Sequence, residues 1–193
     1  MHPKRRDAIN MGTEPAKSTV LLLTGVPGVG KTTVLRRAAE QLAGRRPGGF
    51  YTEELRSGGA RQGFRLIGFG GRECVIAHVD YPKRMRVGKY GVDVAAIDAA
   101  AEELLTPRAD TDLYLVDEIG KMECLSAGFV AAMRRLLESR AIVVASIAKR
   151  AEGFIAEVKH RPDVTLWEVT HANRDALPAR VCAWIEAARA GRP

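Results

Sequence analysis

The segment GVPGVGKT, which begins at Gly25, matches the spacing G-x-x-x-x-G-K-[ST] at every fixed position. Gly25, Gly28 and Gly30 allow a tight backbone loop whose N–H groups can point inward at phosphate oxygens. Lys31 places a positive charge beside the β- and γ-phosphates, and the hydroxyl of Thr32 is a suitable ligand for Mg²⁺. The pattern therefore predicts a loop that holds a triphosphate together with Mg²⁺.

A second pair of chemically active residues, Asp117 and Glu118, follows the apolar run LYLV. An apolar strand that ends in an acid at the carboxyl edge of a parallel sheet can present that acid to a bound metal. We predict that Asp117 holds Mg²⁺ through water, and that Glu118 turns toward the γ-phosphate and activates the attacking water. Adjacent Asp and Glu favour hydrolysis over transfer to an organic acceptor. The alternative is that Glu118 pairs with Lys121.

Reaction at a triphosphate also needs a cation that stabilises charge on the phosphoryl oxygens. The candidates are Arg56, Lys121 and Arg174, followed by Arg65, Lys149 and Arg150. For Lys121, pairing with Glu118 or Glu123 is an alternative to a contact with the γ-phosphate.

Alternating strand and helix patterns predict the elements that position these residues. Strands are predicted at 18–24, 48–56, 61–69, 74–79, 111–120, 141–147 and 165–169. Helices are predicted at 31–43, 94–105, 129–137 and 153–160, with a last helix opened by Pro178 and Ser126 as the N-cap of the third. Segments 48–56 and 61–69 form a predicted β-hairpin. The expected class is α/β with a mainly parallel sheet.

Length and composition are those of one globular domain. We divide the 193 residues into a flexible basic arm at 1–17 and a single domain at 18–193. Apolar runs are too short to span a bilayer, and the arm lacks the apolar core of a signal peptide. Three widely spaced cysteines predict neither disulfides nor structural zinc. We therefore expect a cytoplasmic protein without a membrane partner.

The net charge of +7 raises the question of a nucleic-acid partner. Aromatic residues make up only 6% of the chain, and no basic stretch is interleaved with aromatic residues. Platforms for base stacking are therefore poor, and solvated basic faces on a phosphate-binding protein are the favoured interpretation. Nucleic acid remains the less favoured alternative.

Several longer motifs occur in an order that resembles the cancer-related nucleoside-triphosphatase family of thermophilic prokaryotes and animals. They are GVPGVGKTT, GFYTEELR with RQGFRLI, RVGKYGVDV, LYLVDEIGKMEC and EVTHANRDALP. The resemblance extends from about Ser18 to the terminal helix. The first motif is generic, whereas GFYTEE, VGKYGVD and DEIGKME are specific to the family.

The resemblance implies a RecA-like or AAA-like P-loop fold with a β-hairpin insertion, and slow Mg²⁺-dependent hydrolysis of ATP, GTP, CTP, UTP and TTP to the diphosphate and phosphate. The family's nucleotide-binding segments map onto Gly25, Val26, Pro27, Gly28, Val29, Gly30, Lys31 and Thr32, and onto Leu113, Tyr114, Leu115, Val116, Asp117, Glu118, Ile119 and Gly120. Two other functions stay open: a small nucleoside or nucleotide kinase, and a nucleotide-dependent switch acting on RNA or a protein. The sequence does not predict the oligomeric state.

Overall fold

The computed structural model describes residues 18–42 and 44–191, which form nine strands and five helices. The strands are β1 Val20–Thr24, β2 Gly48–Ser57, β3 Ala60–Gly68, β4 Glu73–His78, β5 Arg86–Val87, β6 Tyr90–Val92, β7 Leu113–Ile119, β8 Ile142–Ile147 and β9 Val164–Glu168. The helices are α1 Lys31–Gln41, α2 Val94–Leu105, α3 Ala127–Glu138, α4 Gly153–Lys159 and α5 Leu177–Ala190, with a 3-10 turn at Glu123–Leu125. The predicted arm and the predicted end of α1 at Ala43 lie outside the described residues.

The nine strands join one sheet in the order β5-β6-β4-β3-β2-β7-β8-β1-β9. Strands β2, β7, β8, β1 and β9 are parallel, and the remaining pairs are antiparallel. The predicted hairpin is β2–β3, and β4, β6 and β5 extend it to the sheet edge. Strand β8 lies between β1, which leads to the phosphate loop, and β7, which carries Asp117. The predicted α/β class is confirmed.

Two short strands in the segment 81–93, β5 and β6, were not among the predicted strands. β5 has two residues and β6 has three, so neither is long enough to show an alternating apolar pattern. Gly88, at a φ of 58°, forms the turn between them. The segment is therefore a short β-ribbon that ends the sheet.

Helices cover both faces of the sheet. Successive strand residues point in opposite directions and therefore pack alternately against the helices on one face and on the other. In β1, Leu21 and Leu23 pack with α1 and α5, whereas Val20 and Leu22 pack with α2, α3 and α4. All four leucine and valine side chains are at most 1% exposed. Because both faces are buried, the central parallel strands β1, β7 and β8 are apolar until they approach their carboxyl ends, as the sequence of β8 indicated.

Side-chain caps fix the starts of two helices, α3 and α2. The hydroxyl of Ser126 accepts a hydrogen bond from the Phe129 N–H at 2.7 Å, as predicted. The Asp93 carboxylate caps α2 in the same way through the Ala96 N–H at 2.9 Å. Pro178 lies in the first turn of α5, also as predicted.

The cysteines Cys74, Cys124 and Cys182 are free and partly buried. Within residues 18–42 and 44–191, no helix has the length and apolar character needed to cross a bilayer.

Candidate active site

The phosphate loop, residues 25–32, connects β1 to α1 at the carboxyl edge of the parallel strands. Gly30 has a φ of 111°, which disfavours any residue with a side chain. At Gly25 a Cβ atom would lie 2.7 Å from the carbonyl oxygen of Val169, so the loop is packed directly against the end of β9. The first turn of α1 begins at Lys31, and its N–H groups therefore open toward an anion held by the loop.

Lys31 is buried within this loop at 8% exposure. Its Nζ donates to the carbonyl oxygen of Gly25 at 3.5 Å and lies 3.3 Å from Oε2 of Glu118. The two residues predicted to be catalytic are therefore in contact. The alternative pairing of Glu118 with Lys121 is wrong, because Lys31 occupies that position.

The Asp117 carboxylate is 1% exposed and accepts three hydroxyl hydrogen bonds. Thr32 Oγ1 donates to Oδ2 at 2.6 Å, Thr52 Oγ1 donates to the same oxygen at 3.3 Å, and Ser146 Oγ donates to Oδ1. The two predicted metal-binding residues, Thr32 and Asp117, thus lie side by side. Sequence reasoning missed Thr52 and Ser146, although Ser146 is the one hydroxyl in the apolar strand β8.

A bulge in β7 lets two neighbouring acids face the same loop. The pairing with β8 steps from Val116↔Ala145 to Ile119↔Ile147, so three steps along β7 match two along β8. The peptide bond between Asp117 and Glu118 is cis. With this bulge, Asp117 reaches Thr32 while Glu118 reaches Lys31, although in a regular strand their side chains would point to opposite faces.

Burial raises the pKa of the Glu118 carboxyl above its ordinary value, and the Lys31 ammonium opposes that rise. The negative charge of Asp117 adds to the increase. A carboxylate with a raised pKa accepts a proton more readily, which is the property needed in a general base.

Two of the three main candidates for the cation at the phosphoryl oxygens, Lys121 and Arg56, form ion pairs with glutamates. Lys121 pairs with Glu152 at 3.4 Å, so the alternative in which it pairs with Glu118 or Glu123 is wrong. Arg56 pairs with Glu54 at 2.6 Å on the β2–β3 hairpin. It lies four residues beyond Thr52, or about 13 Å along an extended strand.

Arg174 is the candidate that contacts the phosphate loop. Its Nη1 donates to the carbonyl oxygen of Val29 at 3.5 Å. A cavity of about 210 Å³ opens beside it. The cavity is lined by Gly30, Thr33, Val34, Arg37, Arg174 and Asp175.

The less favoured cations Arg65, Lys149 and Arg150 are paired with Glu53, Glu168 and Glu152. Sequence reasoning missed Lys159 of α4, whose Nζ donates to the carbonyl oxygen of Lys149 at 2.8 Å. Burial lowers the pKa of Lys159, and the nearby Glu118 carboxylate opposes that change.

A family model described as NTPase matches residues 20–182 of this chain. The chain belongs to the NTPase family. The nucleoside-triphosphatase THEP1 of Thermotoga maritima is 40% identical over 158 residues, which cover 81% of this chain and 90% of the relative. The cancer-related nucleoside-triphosphatase homolog of Bos taurus is 32% identical over 185 residues and covers 88% and 97%, respectively. The family resemblance is confirmed.

Two solved structures share the fold of this NTPase. The crystal structure of THEP1 from Aquifex aeolicus has a TM-score of 0.78 and 32% identity, covering 86% of this chain and 99% of the other. The solution structure of a human cancer-related nucleoside triphosphatase has a TM-score of 0.75 and 32% identity, covering 90% and 98%. The predicted P-loop fold is therefore confirmed.

The NTPase site contains a third acid, Glu123, that sequence reasoning did not assign to it. Its side chain is 5% exposed. A Cβ atom built on Gly120 would lie 2.8 Å from Oε2 of Glu123 and 3.0 Å from Oε1 of Glu118, so both carboxyls border the same point. Burial raises the pKa of Glu123 to about 8. The signal was the third acid of DEIGKME, five residues after Glu118.

Glu123→Gln is expected to change how the stability of this NTPase depends on pH. The pKa of about 8 in the folded protein exceeds the ordinary pKa of 4.5, so between these values the folded state keeps a proton that the unfolded chain has released. The contribution of Glu123 is fully present below pH 4.5 and is lost as pH rises toward about 8. From pH 5 to 8.5, the parent should lose on the order of 3 kcal/mol of unfolding free energy relative to Glu123→Gln.

Urea unfolding of both proteins at pH 5, 7 and 8.5 measures this difference, because all other titrating groups are shared. Parallel stability curves for the two proteins would contradict the raised pKa.

Proposed function

We propose that this nucleoside-triphosphatase uses Mg²⁺ and accepts several bases, releasing the nucleoside diphosphate and phosphate. The observation that carries the proposal is the pair of contacts across the phosphate loop, from Thr32 to Asp117 and from Lys31 to Glu118. The proposed metal-binding pair, Thr32 and Asp117, and the proposed cation and base, Lys31 and Glu118, therefore border the same phosphate position. Water from the solvent is the acceptor of the phosphoryl group in hydrolysis, so no organic acceptor is needed.

The order of the strands supports one orientation of the nucleotide. Glu118 lies at the carboxyl end of β7, Arg174 follows β9, and the phosphate loop follows β1, which lies between these two strands in the sheet. Three strand spacings separate β7 from β9, which is about 14 Å. The γ-phosphate accordingly points toward Glu118, and the nucleoside points toward Arg174 and its cavity. In this orientation Arg174 contacts the α-phosphate or the nucleoside rather than the reacting phosphate.

Thr32 and Asp117 supply the oxygen donors that Mg²⁺ prefers. In the part of the chain that the structure describes, only hydroxyl groups donate to the buried Asp117 carboxylate, so a bound cation would balance its charge. The contact between Thr32 and Asp117 places both oxygens at one point of the loop. Bound Mg²⁺ supplies positive charge to the β- and γ-phosphate oxygens.

Hydrolysis then requires the removal of one proton and the stabilisation of the phosphate charge. Water attacks the γ-phosphorus while the bond from that phosphorus to the bridging oxygen of the diphosphate breaks, and the water proton passes to the Glu118 carboxylate. Lys31 donates to the β- and γ-phosphate oxygens as charge shifts toward the diphosphate. Glu118 later releases its proton to solvent, which restores the carboxylate.

Broad base acceptance is supported by the lining of the cavity near Arg174. No aromatic or amide side chain is among its described lining residues, which carry only hydroxyl, carboxylate and guanidinium groups besides apolar atoms. A guanidinium plane can lie against any base without reading its hydrogen-bonding edge.

The decisive test measures phosphate and diphosphate release from ATP, GTP, CTP and UTP, with Mg²⁺ and with EDTA. We expect equal amounts of the nucleoside diphosphate and phosphate from each of the four substrates. Their kcat/KM values should differ by less than about 10-fold, which is a free-energy spread of about 1.4 kcal/mol. Product formation only after addition of a nucleoside acceptor would establish a kinase instead.

A cytoplasmic location is part of this proposal and is supported by the three free cysteines.

Asp117→Asn is expected to raise the Mg²⁺ concentration needed for half-maximal turnover by about 10-fold or more. The amide keeps the shape of the side chain but removes its negative charge from the metal's surroundings. Activity titrated with MgCl₂ at saturating ATP measures the shift. Ser146→Ala is the matched control, because it removes one hydrogen bond from the same carboxylate without changing its charge. An unchanged Mg²⁺ titration for Asp117→Asn would remove this residue from the metal site.

A further inference from the structure

The β-ribbon at the far edge of the sheet carries basic side chains that no described residue neutralises. Lys83, Arg84, Arg86 and Lys89 are all exposed, and none forms an ion pair within residues 18–42 and 44–191. Most other arginines of this part of the chain are paired. Four uncompensated charges within seven residues attract a partner of opposite charge.

An apolar cavity of about 490 Å³ lies beside these charges. Its apolar wall is formed by Tyr81, Pro82, Met85, Val92 and Val94. Met85 is 39% exposed at its rim. A cavity of this lining fits one large apolar side chain.

The two polar residues that border the cavity have different roles. Arg84 is one of the four unpaired cations. The Asp93 carboxylate is already engaged, because Oδ1 caps α2. The cavity therefore presents an apolar floor with a positively charged margin.

The third element of the surface is the outer edge of the sheet. Among the described residues β5 is the terminal strand and pairs with β6 alone, through Arg86↔Gly91 and Val87↔Tyr90. Its outer edge can pair with an extended peptide. The ribbon is held in place, since the Val92 N–H donates to the carbonyl oxygen of Met85 at 2.8 Å. Little conformational entropy would therefore be lost on binding.

The aromatic rings at this surface do not favour nucleic acid. Tyr90 is covered by Phe64, whose ring centroid lies 5.1 Å away, and by Lys89, whose Nζ lies 5.4 Å from the Tyr90 centroid. The Tyr81 ring lies 5.8 Å from that of His78. Binding of single strands relies on free aromatic faces, and these faces already have partners.

We propose that the ribbon surface, residues 81–93, binds an extended acidic segment of a partner protein, with one large apolar side chain flanked by Asp or Glu. The apolar side chain enters the cavity, the carboxylates meet the four cations, and the peptide backbone pairs with β5. Strands β4, β3 and β2 separate β6 from β7, so the surface lies about 19 Å from the Glu118 strand. The partner therefore binds without covering the triphosphate.

The test selects from a phage-displayed library of random 12-residue peptides on the full chain, with counter-selection on the Lys83→Ala/Arg86→Ala variant. We expect selected peptides to share one Leu, Ile, Phe or Trp flanked by two or more acids. Affinity of the fluorescein-labelled synthetic peptide, measured by polarisation, should fall about 10-fold or more in the counter-selection variant and about threefold or more in Met85→Ser.

The control is Arg134→Ala/Arg135→Ala, which changes the net charge equally but removes cations already paired with Glu157 and Glu102. It should change the affinity by less than about twofold. Equal losses in the two double variants, or selected peptides without acids, would overturn the proposal. A labelled 20-nucleotide uridine RNA that binds more tightly than the peptide, and loses affinity only in Lys83→Ala/Arg86→Ala, would assign the surface to nucleic acid.

Discussion

Glu118→Gln should hydrolyse nucleoside triphosphates about 10² to 10⁴ times more slowly than the parent. The amide retains the size of the side chain and can still orient a water molecule, but it cannot accept the proton. Affinity for ATP should stay the same or rise, because the substitution removes a negative charge near the γ-phosphate and frees Lys31 from its 3.3 Å ion pair. Single-turnover hydrolysis and equilibrium binding of a fluorescent ATP analogue separate the two effects.

Glu123→Gln is the matched comparison for this experiment, since it makes the same chemical change at an acid bordering the same point near Gly120. Because the raised pKa keeps Glu123 largely protonated at neutral pH, its amide variant should lose less than about 10-fold in kcat. Turnover by Glu118→Gln near the parent rate would rule out Glu118 as the base. Glu53 and Glu54 are poor replacements, because arginines already bind both.

Lys31→Ala should lower turnover by at least about 10³-fold and weaken triphosphate binding. The ammonium is 8% exposed, so its charge acts on the phosphates with little screening by water. Phosphate release and ATP binding measure the loss, and far-UV circular dichroism checks the fold. Normal phosphate release by folded Lys31→Ala would refute the assignment of the phosphate loop.

The double variant Lys31→Ala/Glu118→Gln tests whether the two residues also interact in the folded protein. Lys31→Ala leaves the partly buried Glu118 carboxylate without its nearest cation. An unpaired buried charge lowers the free energy of unfolding more than removal of both charges does. Adding Glu118→Gln should therefore recover part of the unfolding free energy lost in the single variant. Arg108→Ala, which removes an exposed pair with Asp110, should cost under about 1 kcal/mol.

The parts of the site that depend on local sequence could be predicted. The phosphate loop is one continuous segment, and the spacing of its glycines and of Lys31 and Thr32 defines it without tertiary information. Asp117 could be placed because an apolar run ends there. The cap at Ser126 and the place of Pro178 in the first turn of α5 were likewise predictable, since both depend only on the first turn of a helix.

The remaining site residues depend on contacts between distant segments. Thr52 and Ser146 reach Asp117 from β2 and β8, and Lys159 approaches Glu118 from α4. Strand order decides those contacts, and a single sequence does not reveal strand order. The bulge at Asp117 and Glu118 is also invisible in the sequence, because it is a mismatch between two strands rather than a property of one.

The contact between Lys31 and Glu118 has a consequence for the choice between substrate and product. In the proposed mechanism, Lys31 is the cation that a triphosphate requires and Glu118 is the acid that accepts the water proton. The two already form an ion pair, so the substrate must compete with Glu118 for Lys31. A triphosphate competes with both its β- and γ-phosphates, whereas a diphosphate has lost the γ-phosphate nearest Glu118. After hydrolysis and release of phosphate, the ion pair between Lys31 and Glu118 can re-form and weaken the binding of the nucleoside diphosphate. Competition between Glu118 and the nucleotide for Lys31 therefore favours product release over product inhibition.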